Sequence, residues 1–496
     1  MADMLAKNRK GYPKSFWVIW GVEFWERFGY YGTQAILALY FVKHLGYSDQ
    51  ESFYIFGSFA AFVYGFVWIG GWIGDKYIGA KRTLLIGAII LMISYLSLGL
   101  ADQNTIFYAL GGIVVGNALF KANPSSLVSK IYNDDVQGLD AAMTVYYMAV
   151  NIGSFVSMSI TPIIADKFGW HWAFISCGLG LFLGILNYLV FYKHLANLSS
   201  AAGRNAMKWS KVVYVVIASL FAMLIIGYIL PHSTVCTILI VVVVTIGFIY
   251  YIATALSLKG KDRIRMFVGF ILILEAIIFF VLYFQMPMSL TFLALHNVDR
   301  VVLGFTIPAA SYQVLNPIVI VVMSPLLAWF YHKHSSTHVT KFCLGMTLCA
   351  VAFIILWIPQ FMDGNGIISS WWMVATYWLQ STGELLISAL GLAMVAELCP
   401  KAISGIVMGI WFLTSMLAGP IAGWLSALTA PSAELAKTIT PAQGLSMYGN
   451  VFGIIGLVTL VIAVIMWITR PWLNKFIEKE HIVEDKTIEI MEPPHV

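Results

Sequence analysis

The first hydrophobic segment of the chain contains a short polar stretch whose residues could carry protons. Glu23, Glu26 and Arg27 lie within five residues of one another. In a helix with 3.6 residues per turn, both carboxylates and the guanidinium then share one side. Because a charge at the centre of a bilayer costs roughly 2.5 to 3.5 kcal/mol, that side must face an enclosed or watery cavity. The triplet has a net charge of −1 when fully ionised, so one proton would neutralise it. This pattern predicts a site that takes up and releases H+.

A buried ion pair that locks helices together is the alternative interpretation of this stretch. A static pair needs one carboxylate for each guanidinium, whereas the triplet has two. Tyr30 and Tyr31 follow one turn later, and their hydroxyls suit a polar cavity. The second carboxylate and the tyrosines therefore favour a functional site.

Three further ionisable residues lie deep in apolar sequence, namely Lys121, Glu275 and Glu384. Together with the triplet they make four acids and two bases, so pairing neutralises at most two acids and leaves others as candidates for a bound proton. Lys121 and Glu384 belong to opposite halves of the chain, and an ion pair between them could form in one conformation and break in another. Separate neutralisation of each charge stays open, and for Glu275 a structural hydrogen bond is an equally good interpretation.

Neutral polar residues within the apolar segments could extend the same cavity. The residues in question are Tyr64, Tyr147, Asn151 and Asn316. Single Asn and Tyr residues in membrane helices often form hydrogen bonds between helices. A structural role and a binding role therefore both stay open for each of them.

The composition indicates an integral membrane protein. Of 496 residues, 60% are hydrophobic and only 11% are charged, and the mean hydropathy is +0.84. Apolar runs of about 20 residues recur, which is typical of spanning helices, whereas a barrel would show alternating segments of about 10 residues. The first 15 residues are polar and the first apolar segment is long, so we expect no cleavable signal peptide.

Other function classes find little support in the sequence. The net charge of +5 follows from basic loops, so we expect no nucleic-acid partner. The five cysteines lie within or at the ends of hydrophobic segments without metal-ligand spacing, which indicates packing. A membrane-embedded enzyme is disfavoured because the spans carry no His-rich metal set, Gly-x-Ser-x-Gly turn or phosphate-binding loop.

Apolar runs bounded by charges, Gly or Pro predict fourteen spans. The predicted spans are 16–42, 52–73, 83–101, 105–129, 141–165, 172–192, 211–230, 234–257, 265–295, 310–331, 341–361, 368–396, 402–429 and 446–469. An even number places both termini on one side of the membrane. Of the 29 Lys and Arg residues, 23 lie on that side, 4 lie on the other and 2 lie within spans. This asymmetry predicts that both termini are cytoplasmic.

The seventh and eighth spans look like an insertion, because they contain no charge and are flanked by the most basic connections. Without them six spans precede and six follow, which is a transporter plan with a binding site between two bundles. We therefore expect an all-α membrane protein with an N-terminal six-helix bundle in residues 1–200, a linker with two extra transmembrane helices in 201–262, a C-terminal six-helix bundle in 263–470 and a cytoplasmic tail in 471–496.

Four motifs carry a family resemblance. The loop Gly-Gly-Trp-Ile-Gly-Asp-Lys-Tyr-Ile-Gly-Ala-Lys-Arg at 70–82 resembles the signature of the major facilitator superfamily. Glu-x-x-Glu-Arg at 23–27, followed by Tyr-Tyr-Gly at 30–32, resembles the first-helix motif of the proton-dependent oligopeptide transporters. Phe-Lys-Ala-Asn-Pro at 120–124 resembles their fourth-helix lysine motif, and 146–154 resembles their fifth-helix signature. The resemblance covers nearly the whole chain, including the two extra helices, and points to the enterobacterial type of di- and tripeptide permease.

The resemblance implies a major facilitator fold and a proton-coupled symporter that imports di- and tripeptides across the bacterial cytoplasmic membrane by alternating access. It implies no cofactor besides protons, and we expect a monomer. A relative with another anionic or drug-like substrate is the alternative within the wider family. The implied roles are attraction of the peptide carboxylate by Arg27 and Lys121, binding of the amino end by Glu384, Asn151 and Asn316, and lining of the site by Tyr30, Tyr31, Tyr64 and Tyr147.

The chain departs from the family pattern at one pair of positions. Many members have a second Arg seven residues after the motif Arg and a Glu in the first helix of the second bundle, which form a gate salt bridge. The corresponding residues here are Gln34 and Gln285. Both partners are neutral, so no charge is left alone, and the gate cannot use that ion pair. Proton coupling is then expected to depend on Glu23, Glu26, Glu384 and Glu275.

Overall fold

A computed structural model describes residues 11–132, 135–198, 208–302, 304–333, 337–362, 364–400, 404–432 and 434–477. The predicted linker around 199–207 and the end of the predicted tail, from residue 478 on, lie outside these residues. The described helices are α1 Lys14–Lys43, α2 Asp49–Gly65, α3 Val67–Trp72, α4 Ala80–Leu100, α5 Ile106–Lys121, α6 Asn123–Ile131, α7 Val136–Phe168, α8 Trp170–Val190, α9 Trp209–Ile229, α10 Ser233–Ser257, α11 Gly260–Tyr283, α12 Thr291–His296, α13 Leu315–Lys333, α14 His338–Ile354, α15 Ser370–Leu398, α16 Ser404–Ala427 and α17 Pro441–Ile477.

These helices form the predicted membrane-spanning set. Among the described residues, twelve helical segments are long and apolar enough to cross a membrane. Two further helices, α1 with 30 residues and α15 with 29 residues, are also long enough to cross a membrane. Helix α1 carries the charged triplet, and α15 carries Glu384. Together they account for the fourteen spans, so the all-α fold class is confirmed. The extra pair, α9 and α10, packs on α5 and α16 and leaves most of its surface outside the protein interior.

Several predicted spans are interrupted, one of them at a proline that could permit bending. The predicted span 105–129 is two helices, α5 and α6, because Pro124 cannot donate the backbone hydrogen bond that a continuous helix needs. The side-chain amide of the preceding residue, Asn123, donates hydrogen bonds from Nδ2 to the carbonyl oxygens of Leu119 at 2.6 Å and Gly70 at 3.3 Å. The predicted span 265–295 has a kink between α11 and α12, where Met288 has φ −107° and ψ −106°. The second span ends in a π-helical turn, Ile73–Tyr77.

Helix α1 occupies the middle of the first bundle and packs against α7 and α8. The approach to α7 depends on Gly153. A Cβ atom at this position would lie 2.6 Å from the Phe24 carbonyl oxygen and 3.1 Å from the Arg27 Cβ. Glycine therefore allows α7 to contact α1 directly at the charged triplet and to help enclose it.

The two bundles meet along a seam between α2 and α16, which we define by Gly57, Gly419 and Gly423. A Cβ atom at Gly57 would lie 2.5 Å from the Gly419 carbonyl oxygen, and one at Gly423 would lie 2.7 Å from the Phe53 carbonyl oxygen. The Phe53 ring also packs edge-on against Phe292 of α12, with centroids 4.6 Å apart. Glycine is required here because backbone meets backbone across the bundle interface.

Polar contacts between the bundles lie at the same end of the molecule as this seam. Gln313 donates from Nε2 to the Ala35 carbonyl at 3.1 Å. Gln50 donates to the Ala430 carbonyl at 3.1 Å. The strand pairs Val298–Asp299 with Ile368–Ser369 and Val301–Val302 with Phe305–Thr306 lie in the connections at this end. The bundles are thus held together where α1 ends and α2 begins.

Candidate functional site

The charged triplet forms a buried cluster on α1. The Arg27 Nε lies 3.1 Å from Glu23 Oε1, and the Arg27 Nη2 lies 2.5 Å from Glu26 Oε2. All three side chains are at most 4% exposed. One guanidinium therefore binds two carboxylates away from bulk water, as the helical spacing predicted.

The cluster has one acid more than it can neutralise. Glu26 Oε1 has no hydrogen-bond partner among the described residues, whereas Glu23 also interacts with the hydroxyl of the buried Tyr146. A buried carboxylate without partners is costly, because desolvation is not repaid by hydrogen bonds. Protonation of one carboxyl group removes this cost, so the geometry suits a group that binds a proton.

Lys121, at the end of α5, lies on the cavity side of the triplet. Its Nζ is 4.0 Å from the centroid of the Tyr64 ring, and it interacts electrostatically with Glu26. The Arg27 guanidinium lies 5.7 Å from the Tyr30 centroid, and Tyr30 packs edge-on against Tyr64. Tyrosine faces thus hold the two cations side by side in the first bundle.

Glu384 provides an acidic group from the second bundle. Asn316 of α13 donates from Nδ2 to Glu384 Oε2 at 2.6 Å and also to Ser381 Oγ at 2.9 Å. Glu384 interacts electrostatically with Tyr31 and Tyr64 of the first bundle. Glu384 of the second bundle and the cations Arg27 and Lys121 of the first bundle therefore lie around one group of buried tyrosines, which forms the candidate binding cavity.

Lys121 and Glu384 do not form an ion pair in this conformation. In the part of the chain that the structure describes, no Lys121 nitrogen lies within 4 Å of a Glu384 oxygen. Each has other partners, which are Tyr64 for the lysine and Asn316 for the acid. The hypothesis of a state-dependent pair stays a prediction about another conformation.

The remaining predicted residues differ in their relation to the cavity. Tyr147 is 58% exposed and lies near Glu23. The Asn151 amide donates to the Tyr147 carbonyl of its own helix at 3.0 Å. Glu275 is buried on α11 beside Cys343 of α14, about 12 Å along the helix from the cavity residue Tyr283 at a rise of 1.5 Å per residue. Among the described residues, the Asn151 side chain bonds within its own helix and Glu275 lies beside Cys343, so neither is hydrogen-bonded to the charged triplet or to Glu384.

One cavity residue was missed from the sequence. Tyr283, at the end of α11, interacts electrostatically with Glu384, Tyr31 and Tyr64. It follows a long apolar run and resembles an interfacial tyrosine. The sequence signal for Tyr283 was its position two residues before Gln285, which occupies a gate position in the family pattern.

In the described ranges, no hydrogen bond joins Gln34 and Gln285. Gln285 Oε1 accepts from Ser289 and Ser426 at 2.5 and 2.8 Å, and its Nε2 donates to the Val281 and Ala422 carbonyls. All of these partners belong to the second bundle. The contact across the bundles next to Gln34 is the hydrogen bond from Gln313 to Ala35. The neutral pair therefore forms no gate of its own.

Comparisons with known proteins agree with this arrangement. The model of the POT family matches residues 81–442. The chain belongs to the POT family.

Curated relatives in the same family span almost the full chain. Dipeptide and tripeptide permease B of Salmonella typhimurium is 43% identical over 476 residues, which are 94% of this chain and 96% of the relative. Dipeptide and tripeptide permease A of Chromobacterium violaceum is 43% identical over 478 residues, which are 95% of each chain.

Solved structures show the same architecture. The structure of tetrameric PepTSo2 has 35% identity, a TM-score of 0.83 and coverage of 93% of this chain and 99% of its own. A structure described as a bacterial homologue of the human drug peptide transporters PepT1 and PepT2 has 35% identity, a TM-score of 0.82 and the same coverage. These solved structures therefore share the POT-family fold with 93% of this chain.

Proposed function

We propose that this chain is a proton-coupled symporter that imports di- and tripeptides by alternating access. The observation that carries the proposal is the placement of Arg27 and Lys121 of the first bundle and Glu384 of the second around one group of buried tyrosines. Two cations opposite an acid suit a zwitterion of limited length, whose carboxylate and amino group are separated by one or two peptide bonds. The names of the curated relatives, dipeptide and tripeptide permeases, support the same substrate class.

Proton binding and peptide binding are linked through Arg27 in this proposal. A proton from outside neutralises Glu23 or Glu26, which weakens the two contacts that hold the guanidinium. Arg27 then becomes available to the peptide carboxylate, while Glu384 and Asn316 bind the amino end. Occupation of this site lets the bundles rock and open the cavity to the opposite side.

The conformation described here corresponds to a cavity closed on the outside. The seam of Gly57, Gly419 and Gly423 joins the bundles at the end where α1 ends. The Lys and Arg asymmetry assigns that end to the external face and both termini to the cytoplasm of a bacterial inner-membrane protein. That the protein works as a monomer stays a prediction.

Uptake of labelled dialanine into proteoliposomes tests the proposed function. With an acidic, electrically positive outside, we expect accumulation that a protonophore abolishes and that free alanine does not inhibit. Vesicles that transport another solute but not dialanine would contradict the substrate class. Dialanine uptake that is insensitive to the protonophore would retain the substrate and contradict the coupling.

Replacing Glu384 by Gln is expected to weaken dialanine binding at least tenfold. The carboxylate loses its charge, and a hydrogen bond to a charged group is worth about 1.5–3 kcal/mol, which is roughly a factor of 10 to 150 in affinity. The measurement is the inhibition constant of unlabelled dialanine against labelled substrate.

Blocked peptides provide the control for Glu384→Gln. N-acetyl-dialanine lacks the amino group that Glu384 binds, so we expect its inhibition constant to change less than about twofold, since no charged partner is lost. A parallel loss for both ligands would show that Glu384 supports the cavity in general and does not recognise the amino end.

A further inference from the structure

A buried tyrosine of α4 lies beside the charged triplet and near Tyr30. Tyr95 of α4 is 0% exposed, and its hydroxyl has no hydrogen-bond partner among the described residues. Other buried tyrosines of the first bundle do have one. Tyr40 donates to the Ala101 carbonyl at 3.4 Å and Tyr188 donates to the Lys81 carbonyl at 3.1 Å. Since buried polar groups are nearly always paired, the free hydroxyl of Tyr95 calls for an explanation.

The Tyr95 ring is held against α1 at the level of the triplet. A Cβ atom at Gly29 would lie 2.8 Å from Tyr95 Cε2, so the ring fills the space that this glycine leaves. Gly29 is three residues after Glu26 and lies on the same face of α1. Tyr95 interacts electrostatically with Glu26, with Cys177 of α8 and with Arg27. It therefore faces the most deeply buried carboxyl group of the triplet.

Glu26 has a matching unpaired atom. Its Oε2 binds Arg27, whereas its Oε1 has no hydrogen-bond partner in the described ranges. The other titratable groups that interact with Glu26 are Glu23 and Tyr31 on its own helix and Lys121 of α5. One buried acceptor and one buried donor thus interact electrostatically without a hydrogen bond between them in this conformation. Such a pair points to a second conformation in which both atoms are satisfied.

We propose that Tyr95 is a positioning residue for proton coupling, which donates a hydrogen bond to the Glu26 carboxyl group once that group has been protonated and has released Arg27. This inference rests on the proposed symport function. The proton stays on Glu26 and the tyrosine keeps its own, so Tyr95 changes the direction of the carboxyl group and is not itself a proton carrier. A second partner for Glu26 favours the state in which Arg27 is available to the peptide carboxylate.

The test compares Tyr95→Phe with a matched variant, Tyr377→Phe. Tyr377 is also 0% exposed, and its hydroxyl also lacks a hydrogen-bond partner in the part of the chain described. It differs from Tyr95 because it lies in the second bundle and has no electrostatic interaction with a charged group among the described residues. Both variants are reconstituted, and two rates are measured: dialanine counterflow without a gradient, and uptake driven by a proton gradient as a function of external pH.

We expect the counterflow rate of Tyr95→Phe to stay within about twofold of that of the unchanged protein. The external pH for half-maximal driven uptake should move by about 0.4 to 1 unit to more acidic values, which is the effect of losing one neutral hydrogen bond. The sign follows because the lost bond stabilises the protonated state, so more acid is needed to populate it. Tyr377→Phe should keep the original pH profile.

An unchanged pH profile in Tyr95→Phe would overturn the inference. Equal shifts in both variants would also overturn it, because they would reflect packing. Tyr95→His is made in parallel, since it retains a donor, and partial recovery of the profile is expected. Failure of both Tyr95 variants to give monodisperse protein would assign Tyr95 to packing and reject the proposal. If the unchanged protein shows no proton-dependent dialanine uptake, the proposed function itself fails, and this result is seen before any variant is tested.

Discussion

Replacing Glu26 by Gln is expected to abolish proton-driven accumulation of dialanine while counterflow continues. The amide cannot take up the proton, and Arg27 keeps its contact with Glu23 at 3.1 Å. One proton moving with a neutral peptide provides about 1.4 kcal/mol per pH unit and about 2.3 kcal/mol per 100 mV, so one pH unit and 100 mV support an accumulation of about 500-fold. For Glu26→Gln we expect the internal concentration to stop at the external one.

The control for this prediction is Glu434→Gln, the same chemical change at an exposed residue of a connecting segment. Its accumulation should equal that of the unchanged protein. We expect Glu23→Gln to have the same effect as Glu26→Gln if the two carboxyl groups share the proton. Full accumulation by Glu26→Gln would remove Glu26 from the coupling mechanism, and full accumulation by Glu23→Gln would do so for Glu23.

Replacing Gly57 by Leu is expected to reduce uptake at least tenfold by preventing closure on the outside. The seam admits no Cβ atom at this position, because it would lie 2.5 Å from the Gly419 carbonyl oxygen. Overpacking typically costs about 1–3 kcal/mol, and the four carbon atoms of a leucine side chain place it in the upper part of this range, about 1.5–3 kcal/mol, which shifts a two-state equilibrium by roughly 10- to 150-fold. The bundles should therefore stay apart at this end, and the cavity should stay open to the outside.

Labelling of an engineered cysteine measures this shift. Gln34 is only 4% exposed in the closed conformation, and the five native cysteines are buried. In the Gln34→Cys background, Gly57→Leu should raise the rate of labelling by an external, membrane-impermeant maleimide at least tenfold. Gly409→Leu is the matched control on α16, because nothing lies within 4 Å of a Cβ atom there. Equal labelling in both variants would contradict the role of the seam in closure.

Much of the site could be predicted from the sequence because charged residues are conspicuous in apolar helices. The spacing of Glu23, Glu26 and Arg27 places them on one helix face, and the structure brings them into contact. The hydrogen bond between Asn316 and Glu384 fits the prediction that both residues belong to one site. Both contacts could be predicted without knowing how the helices pack, apart from the division into two bundles.

Other features depend on tertiary contacts that no local pattern records. The seam needs glycines at positions far apart in the chain, and each of them taken alone resembles any glycine in a membrane helix. Tyr95 looks like an ordinary apolar residue of α4 until its ring is placed against Gly29. The break at Met288 directly follows Pro287 inside one predicted span, so the proline was a local signal for it that the hydropathy pattern does not record.

Peptide and proton are expected to move together through one site. The most direct test of this coupling is to measure whether the entry of peptide drives the entry of protons. Proteoliposomes contain a pH-sensitive dye, the pH is equal on both sides, and the membrane potential is clamped by potassium and an ionophore. Addition of dialanine outside should acidify the lumen, whereas free alanine and the Glu26→Gln variant should not. Entry of labelled dialanine into the same vesicles without any acidification would contradict the account.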